Sequence, residues 1–219
     1  MTASGSMTIQ AITNGIIFDG EAQYSDRVVL VQAGRIAAIV LPDDVPDGAT
    51  LFDLAGGLLA PGLIDLQVNG GGGVLFNHEP SVDTIRRIGL AHRQFGTTGF
   101  LPTLITSDYD TMRKAAAAVA EAMELGVPGL LGIHFEGPFL NGQRAGIHDA
   151  GRVRVPDDEA LEILGSLDAG ITLVTLAPEI TGCEFIRELS GLGVVVCAGH
   201  TTASYEQSLA ALLAGLCGC

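Results

Sequence analysis

Residues 130–135, Leu-Leu-Gly-Ile-His-Phe, decide the fold class of this protein. This short apolar run ends in Glu136-Gly137-Pro138 and lies between two longer segments with helical patterns. A run of this length that is apolar at consecutive positions is typical of a parallel strand buried on both faces. The stretch therefore predicts a strand in an α/β protein.

Four further runs share this character, and helical segments separate them. The predicted strands cover residues 63–68, 99–105, 130–135, 171–176 and 194–198. The predicted helices cover residues 83–95, 109–125, 157–167, 184–191 and 204–214. Strands that alternate with helices in this way indicate repeated βα units around a parallel sheet.

The spacing of the strand starts favours a barrel. The repeat is roughly 33 residues, close to one eighth of the ~250 residues typical of a (β/α)₈ barrel. Only about five of eight units fit, so the chain forms either an open five-stranded sheet or part of a TIM-type barrel, with unpaired edges in both cases. Short β-branched runs at 12–18, 27–31, 35–40 and 50–54 predict a small all-β domain before it. We place the two domains at residues 1–58 and 59–219.

Composition excludes several classes of function. With 11 Lys+Arg against 25 Asp+Glu, the net charge of −14 excludes nucleic acid as a partner. No uncharged apolar run reaches the roughly 18 residues of a membrane span, and residues 1–10 lack the pattern of a signal peptide. The four cysteines form no repeated C-x-x-C pattern, which favours a reducing compartment. We therefore expect a cytoplasmic protein that does not bind membranes.

Polar residues end the first predicted strand. Gln67 and Asn69 share one face because side chains alternate along a strand, and both could point into the mouth of a barrel. Four glycines follow at 70–73, but no Gly-Lys-Ser/Thr follows them and no complete G-x-G-x-x-G is present. Nucleotide binding is not indicated, and a flexible turn is the alternative interpretation of the glycines.

Two strand ends carry groups that could bind a metal. Glu136 follows an apolar run, where a carboxylate needs either a salt-bridge partner or an ion, and His200 follows the fifth predicted strand. The two residues are 64 positions apart, about two βα units, so their strands lie two apart and both side chains could reach one ion. His134, one pleat deeper than Glu136, is predicted to be a hydrogen-bonded core residue.

A polar loop follows the third predicted strand. Residues 141–150 carry Arg144 and His148, which could receive an anionic substrate in this acidic chain, although a solvated loop is an equal alternative. His78 and His92 lie outside these clusters and are assigned no role.

Five ordered motifs resemble those of the N-acetylglucosamine-6-phosphate deacetylases of the amidohydrolase superfamily. They are residues 61–70 (PGLIDLQVNG), 96–103 (GTTGFLPT), 134–141 (HFEGPFLN), 176–179 (LAPE) and 198–200 (AGH). The resemblance covers about residues 9–216. It implies a metal-dependent hydrolase of amino-sugar catabolism that removes acetate from N-acetyl-D-glucosamine 6-phosphate.

The resemblance also implies the roles of site residues. Glu136 and His200 would be metal ligands, Ile147 and His148 would contact the sugar, and Gln67 would orient the water. Gln67 and Asn69 stand where many amidohydrolases have His-x-His, so one divalent ion is implied, with zinc the expected metal. Ala150 stands where many members have Pro. A dihydroorotase-like enzyme is disfavoured because such enzymes usually carry the His-x-His.

The same resemblance implies that part of the site is missing. The general-base aspartate and a third, histidine ligand would lie after later strands, so no catalytic residue is assigned, and we expect a C-terminally truncated member of the family. The alternative is a catalytically inactive fragment or a sugar-phosphate-binding remnant. The partner in either case is a small amino-sugar phosphate, and a homo-oligomer is left open.

Overall fold

The computed structural model describes residues 8–218. The first seven residues, which belong to the polar N-terminal segment, and Cys219 lie outside the described residues. The chain divides into two compact units, one ending at Gly62 and one beginning at Leu63. No helix within residues 8–218 has both the length and the apolar character needed to cross a membrane.

The first unit contains two small β-sheets. Its strands are β1 (Gln10–Thr13), β2 (Ile16–Phe18), β3 (Gln23–Tyr24), β4 (Val28–Gln32), β5 (Arg35–Val40), β6 (Thr50–Asp53) and β7 (Leu58–Leu59). One sheet has the order β5-β4-β1-β6 and the other β3-β2-β7. A small core of Ala11, Val28 and Leu30 lies in the first sheet.

The predicted run at 12–18 is interrupted in the structure. Asn14 has a φ of +55°, so the chain turns there and β1 and β2 join different sheets. Asn is among the residues that tolerate this left-handed conformation, which explains why an apolar run divides at that position.

The second unit is built on a six-stranded parallel sheet. Its strands are β8 (Leu63–Val68), β11 (Thr97–Ile105), β12 (Gly132–Glu136), β13 (Ile171–Leu176), β14 (Val195–Ala198) and β15 (Leu216–Gly218), with the short hairpin strands β9 (Gly70–Gly71) and β10 (Val74–Leu75) between the first two. Each strand of the sheet pairs with its neighbour in sequence, in the order β15-β14-β13-β12-β11-β8. All five predicted strands are confirmed, and β15 adds a sixth to the five expected.

Helices connect the strands of this sheet. They are α1 (Val82–Arg93), α2 (Tyr109–Glu124), α3 (Asp158–Leu164), α4 (Pro178–Gly191) and α5 (Tyr205–Ala214). Four of them begin after a Ser or Asp whose side chain accepts a hydrogen bond from the first turn. The fourth helix begins six residues before the predicted 184. Gly182, with a φ of +74°, is not helical and separates a first turn at Pro178 from the segment that the sequence predicts at 184–191.

The two faces of the sheet differ in chemistry. One face packs against the helices in an apolar core that includes Phe100, Phe135, Val174, Ile186 and Val196. Because side chains alternate along each strand, the other face of β12 carries His134 and Glu136. This alternation places the polar strand-end residues on the side away from the helices.

The glycine run is a hairpin. β9 and β10 are antiparallel, and Gly72 and Gly73 between them have φ values of +60° and +81°. Two consecutive positive φ angles are typical of a type I′ turn, which glycine accommodates without strain. His92 Nε2 lies 2.9 Å from the Gly70 carbonyl oxygen and holds the hairpin on α1.

Candidate metal and substrate site

A cavity of about 400 Å³ lies at the carboxyl ends of the strands. Parallel α/β barrels place their active sites at this end. The lining includes all five residues whose roles are predicted from the sequence, together with residues of the segment after β8 and the last residue of β11. It consists of Gln67, Asn69, Leu75, Asn77, His78, Ile105, Glu136, Ile147, His148 and His200. His78 therefore lines this cavity, although its sequence context suggested no role.

Glu136 ends β12 and is only 7% exposed. Its Oε2 accepts a hydrogen bond from Gln67 Nε2 at 2.9 Å, and its Oε1 lies 3.0 Å from His200 Nε2. Burial alone would raise the pKa of this carboxyl, but hydrogen bonds from His148 and His200 lower it to about 2. Glu136 is therefore a carboxylate at neutral pH, with one oxygen directed at two imidazoles.

His200 follows β14 and presents one nitrogen to Glu136. Its Nδ1 lies 2.8 Å from the Arg144 carbonyl oxygen. A carbonyl oxygen only accepts hydrogen bonds, so Nδ1 carries the proton and donates it. Nε2 faces Glu136 Oε1 and can act in two ways: with a second proton on the ring it donates to Oε1, and in the neutral ring its lone pair is available to a cation bound between the two atoms.

His148 has the opposite arrangement. Its Nδ1 lies 3.4 Å from the Thr106 main-chain nitrogen and 2.8 Å from Thr106 Oγ1. A main-chain N–H only donates, so Nδ1 of His148 must accept. The neutral His148 ring therefore carries its proton on Nε2, 3.6 Å from Glu136 Oε1.

The donor set fits a divalent cation. Ligand atoms of Glu136, His148 and His200 all lie within 4.8 Å of one another. Two atoms that each bind one zinc ion at about 2.0–2.2 Å are themselves within about 4 Å, as Glu136 Oε1 and His200 Nε2 are. Metal-binding histidines usually donate the other ring N–H to a carbonyl or carboxylate, as His200 does. In its present tautomer, His148 offers an N–H rather than a lone pair.

The loop after β12 does not direct both Arg144 and His148 into the site as their sequence suggested. The Arg144 side chain is exposed and its main-chain carbonyl is the group that contacts the site. Ile147 is 87% exposed beside the cavity, whereas His148 is buried. Ala150 begins a 3₁₀ turn (Ala150–Arg152) whose first N–H groups include that of Gly151, which bonds the Asp149 side chain.

Two residues that were not predicted from the sequence form hydrogen bonds that position the residues lining the cavity. Thr106 fixes the His148 ring, and Asn77 bonds the main chain of Ile105 twice, through Oδ1 and Nδ2, each at 2.9 Å. Thr106 directly follows a predicted strand and Asn77 lies between the first predicted strand and the first predicted helix, and neither has a distinctive local pattern. Their partners lie 28 or more positions away, so only the folded chain reveals them.

The prediction that His134 is a hydrogen-bonded core residue is confirmed. It is 2% exposed, its Nδ1 lies 3.1 Å from Thr103 Oγ1, and its Nε2 lies 2.8 Å from Thr175 Oγ1. Burial lowers the pKa of His134 to about 4, so the ring is neutral in the folded protein at neutral pH.

Comparison with known proteins adds independent evidence. No family model matches the chain. The N-acetylgalactosamine-6-phosphate deacetylase of Shewanella sp. (strain ANA-3) is 46% identical over 167 residues, which are 76% of this chain and 42% of that protein. The crystal structure of N-acetylglucosamine-6-phosphate deacetylase from Pasteurella multocida is 33% identical, with a TM-score of 0.91 over 95% of this chain and 55% of that chain. By sequence and fold, the chain is similar to about half of an N-acetylglucosamine-6-phosphate deacetylase.

A second solved deacetylase carries a ligand. The Mycobacterium smegmatis N-acetyl-D-glucosamine-6-phosphate deacetylase, a D267A mutant in complex with N-acetyl-D-glucosamine-6-phosphate, is 29% identical with a TM-score of 0.85, over 96% of this chain and 55% of that chain. These likenesses confirm that the chain contains a partial (β/α)₈ barrel and a small β unit. The chain spans about half the length of the deacetylases it matches.

Proposed function

We propose that this chain provides the metal-binding and sugar-binding residues of a hydrolase that removes acetate from N-acetyl-D-glucosamine 6-phosphate. The observation that carries the proposal is the 3.0 Å separation of Glu136 Oε1 and His200 Nε2 at the wall of the cavity. A carboxylate and an imidazole lone pair at this distance suit one divalent ion, for which zinc is our proposal. The location we propose is cytoplasmic.

Each residue near the proposed ion has a defined task. Glu136 supplies the negative charge and His200 supplies a neutral nitrogen ligand. Gln67 Nε2 is engaged by Glu136, which leaves its amide oxygen to accept a hydrogen bond from a water molecule. When bound, zinc would polarise the acetyl carbonyl and lower the pKa of water to about 7.

His148 and Ile147 are the proposed sugar contacts. The His148 Nε2–H is a hydrogen-bond donor at the cavity wall, suited to an oxygen of the sugar or its acetyl group. Ile147 provides an apolar surface and a main-chain group beside it. The two histidines therefore have different tasks: His148 donates a hydrogen bond to the sugar, and His200 binds the metal ion.

We expect weak turnover by the isolated chain. A catalytic zinc normally has three protein ligands, whereas two are proposed here. The cavity-lining residues of the described chain include no aspartate that could act as general base. Binding of the amino-sugar phosphate without efficient hydrolysis is therefore the alternative function.

A second substrate is favoured by one comparison. The 46% identical Shewanella protein is named for N-acetylgalactosamine 6-phosphate, which differs from the glucosamine compound only in the configuration at C4. The residues that contact the C4 position determine which of the two sugars binds, so both sugars are to be tested side by side.

The test separates metal binding from sugar binding in three proteins: the wild-type chain, H200Q and H148Q. Zinc is measured by elemental analysis after dialysis, sugar binding by saturation-transfer NMR with either sugar phosphate, and acetate release with and without chelator. We expect H200Q to lose zinc and sugar binding, and H148Q to keep zinc but lose sugar binding. Wild-type protein that retains no zinc, or equal zinc loss in both variants, would contradict the assignment.

A further inference from the structure

Glu179 joins the two loops that build the proposed metal site. It is the second residue of α4 and follows β13, which pairs with β12 on one side and with β14 on the other. Glu136 ends β12 and His200 follows β14. A side chain at the end of the middle strand is therefore placed between the segments that carry the two proposed ligands.

The Glu179 carboxylate accepts hydrogen bonds from both segments. Asn141, from the loop after β12, donates Nδ2–H at 2.9 Å. From the loop after β14, Thr202 donates its main-chain N–H at 2.7 Å, and the hydroxyl of Thr201 donates to the second carboxylate oxygen. Burial would raise the pKa of this carboxyl, but these hydrogen bonds lower it to about 2, so it is charged at neutral pH.

The main chain of His200 depends on the same segments. Its φ is +50°, a conformation that residues with a side chain rarely adopt, and its carbonyl oxygen accepts the Asn141 N–H at 2.9 Å. Such conformations persist only when the surroundings fix them. Glu179 holds Asn141 on one side of His200 and the two threonines on the other.

We propose that Glu179 is a positioning residue for His200: it fixes the left-handed main chain there, so that Nε2 faces Glu136 Oε1. The inference rests on the proposed function, in which His200 is a metal ligand. Glu179 is absent from the residues that line the cavity, so it acts through His200 rather than on the ion or the sugar.

A purely structural role makes a different prediction. An acidic residue in the first turn of a helix stabilises that helix through its dipole, and α4 has no side-chain N-cap. If Glu179 served only α4, its removal would lower the unfolding temperature and leave zinc affinity and His200 unchanged. Zinc affinity and the His200 main chain are therefore the quantities to measure.

The first experiment compares E179Q with E188Q in the full chain. Glu188 is an exposed residue of the same helix, so both variants remove one negative charge from α4. We expect E179Q to weaken zinc binding by roughly tenfold or more, the usual effect of losing a hydrogen bond to a charged group, and E188Q to change it less than about twofold. Equal zinc affinities of folded E179Q and wild type would overturn the proposal.

Two further measurements test the proposal if E179Q does not fold or if the wild-type chain binds no zinc. T201V removes one hydroxyl donor and keeps the charge, so it decides the question if E179Q does not fold: zinc binding weakened about threefold or more supports the proposal, and unchanged binding refutes it. The His200 ¹³Cα shift in zinc-free protein reports the left-handed main chain directly. A shift that E179Q leaves unchanged would refute the proposal even if the wild-type chain binds no zinc, an outcome that separately contradicts the proposed function.

Discussion

Strands β8 and β12 have similar apolar sequences in the same parallel sheet, yet their environments differ. All five residues of β12 are buried, whereas only Val68 is fully buried among the six residues of β8. β12 has a hydrogen-bonded strand on each side, while within residues 8–218 β8 is an edge strand whose one partner is β11. Of these two strands, the one with a neighbour on each side is the more buried, although both have apolar sequences.

The contrast explains how the site distributes its charges. The charged Glu136 is at the end of the buried strand, where it needs the imidazoles around it. The exposed edge strand contributes Gln67, a neutral amide, to the same cluster. A neutral group requires no compensating charge, so the edge strand can carry it at little cost.

The sharpest test of this difference replaces the polar residue at the end of each strand. We expect E136Q to abolish zinc retention, because it removes the ligand charge. Q67A should weaken zinc binding by only about tenfold, the lower end of the range for groups that orient a ligand. Dialysis and elemental analysis measure both. Similar losses from the two variants would show that Gln67 is as important as Glu136.

The same truncation in the two strands tests burial directly. Ile133 of β12 is 0% exposed and Ile64 of β8 is 64% exposed. I133A should lower the free energy of unfolding by about 3 kcal/mol through lost packing, and I64A by less than about 1 kcal/mol. Urea denaturation provides both values. Equal destabilisation would mean that β8 is buried in solution.

Acid should destabilise the protein because His134, in the buried strand β12, takes up a proton less readily in the folded state than in the unfolded state. His134 has a pKa of about 4 when folded and near 6.5 when unfolded, so the unfolded state takes up the proton first. Stability should therefore fall by up to about 3 kcal/mol as the pH drops from about 6.5 to about 4. Below about 4.5, protonation of Glu136 and Glu179, whose pKa values are lowered to about 2, should reduce it further.

The matched variant for this prediction is H134Q, whose amide bonds Thr103 and Thr175 without titrating. Urea unfolding in chelator across this pH range should show a flatter profile above about pH 4 for H134Q than for wild type. The same slope in both proteins would assign the acid sensitivity to other groups.

The smallest expected effect concerns self-association through the edge strand. An exposed edge with apolar side chains is a site of strand pairing between chains, and lysine there prevents it. I64K should reduce concentration-dependent light scattering with less than about 0.5 kcal/mol change in stability. L90K is the control, because Leu90 of α1 is 65% exposed but lies on a helix. A similar reduction by L90K would exclude the edge strand as the cause.

Some predicted elements differ from the structure where a single residue has a positive φ angle, which apolar patterns in the sequence do not reveal. The run at 12–18 divides at Asn14, and α4 has a separate first turn at Pro178, before the non-helical Gly182, that the prediction at 184–191 omitted. Positive φ angles at single residues depend on surrounding hydrogen bonds. Apolar periodicity alone cannot locate them.

The site was predictable in its parts but not in its internal contacts. Strand-end position and a two-unit spacing were sufficient to pair Glu136 with His200. Thr106, Asn77 and Glu179 act through partners that are 22 or more positions away. Glu179 ends the 176–179 motif, but the motif by itself assigns it no role. His78 was set aside from sequence and lines the cavity because the glycine hairpin returns the chain there.

The sequence by itself determined the α/β class, the order of the βα units and which strand ends carry a carboxylate and an imidazole. These properties follow from local periodicity and from the alternation of side chains along a strand. The tertiary structure decided which imidazole nitrogen carries the proton. The Arg144 carbonyl holds the proton of His200 on Nδ1, so that the lone pair of the neutral ring lies on Nε2, and the Thr106 N–H leaves His148 with a donor on Nε2. Tautomer choice depends on the partner of the opposite ring nitrogen, which only the folded chain provides.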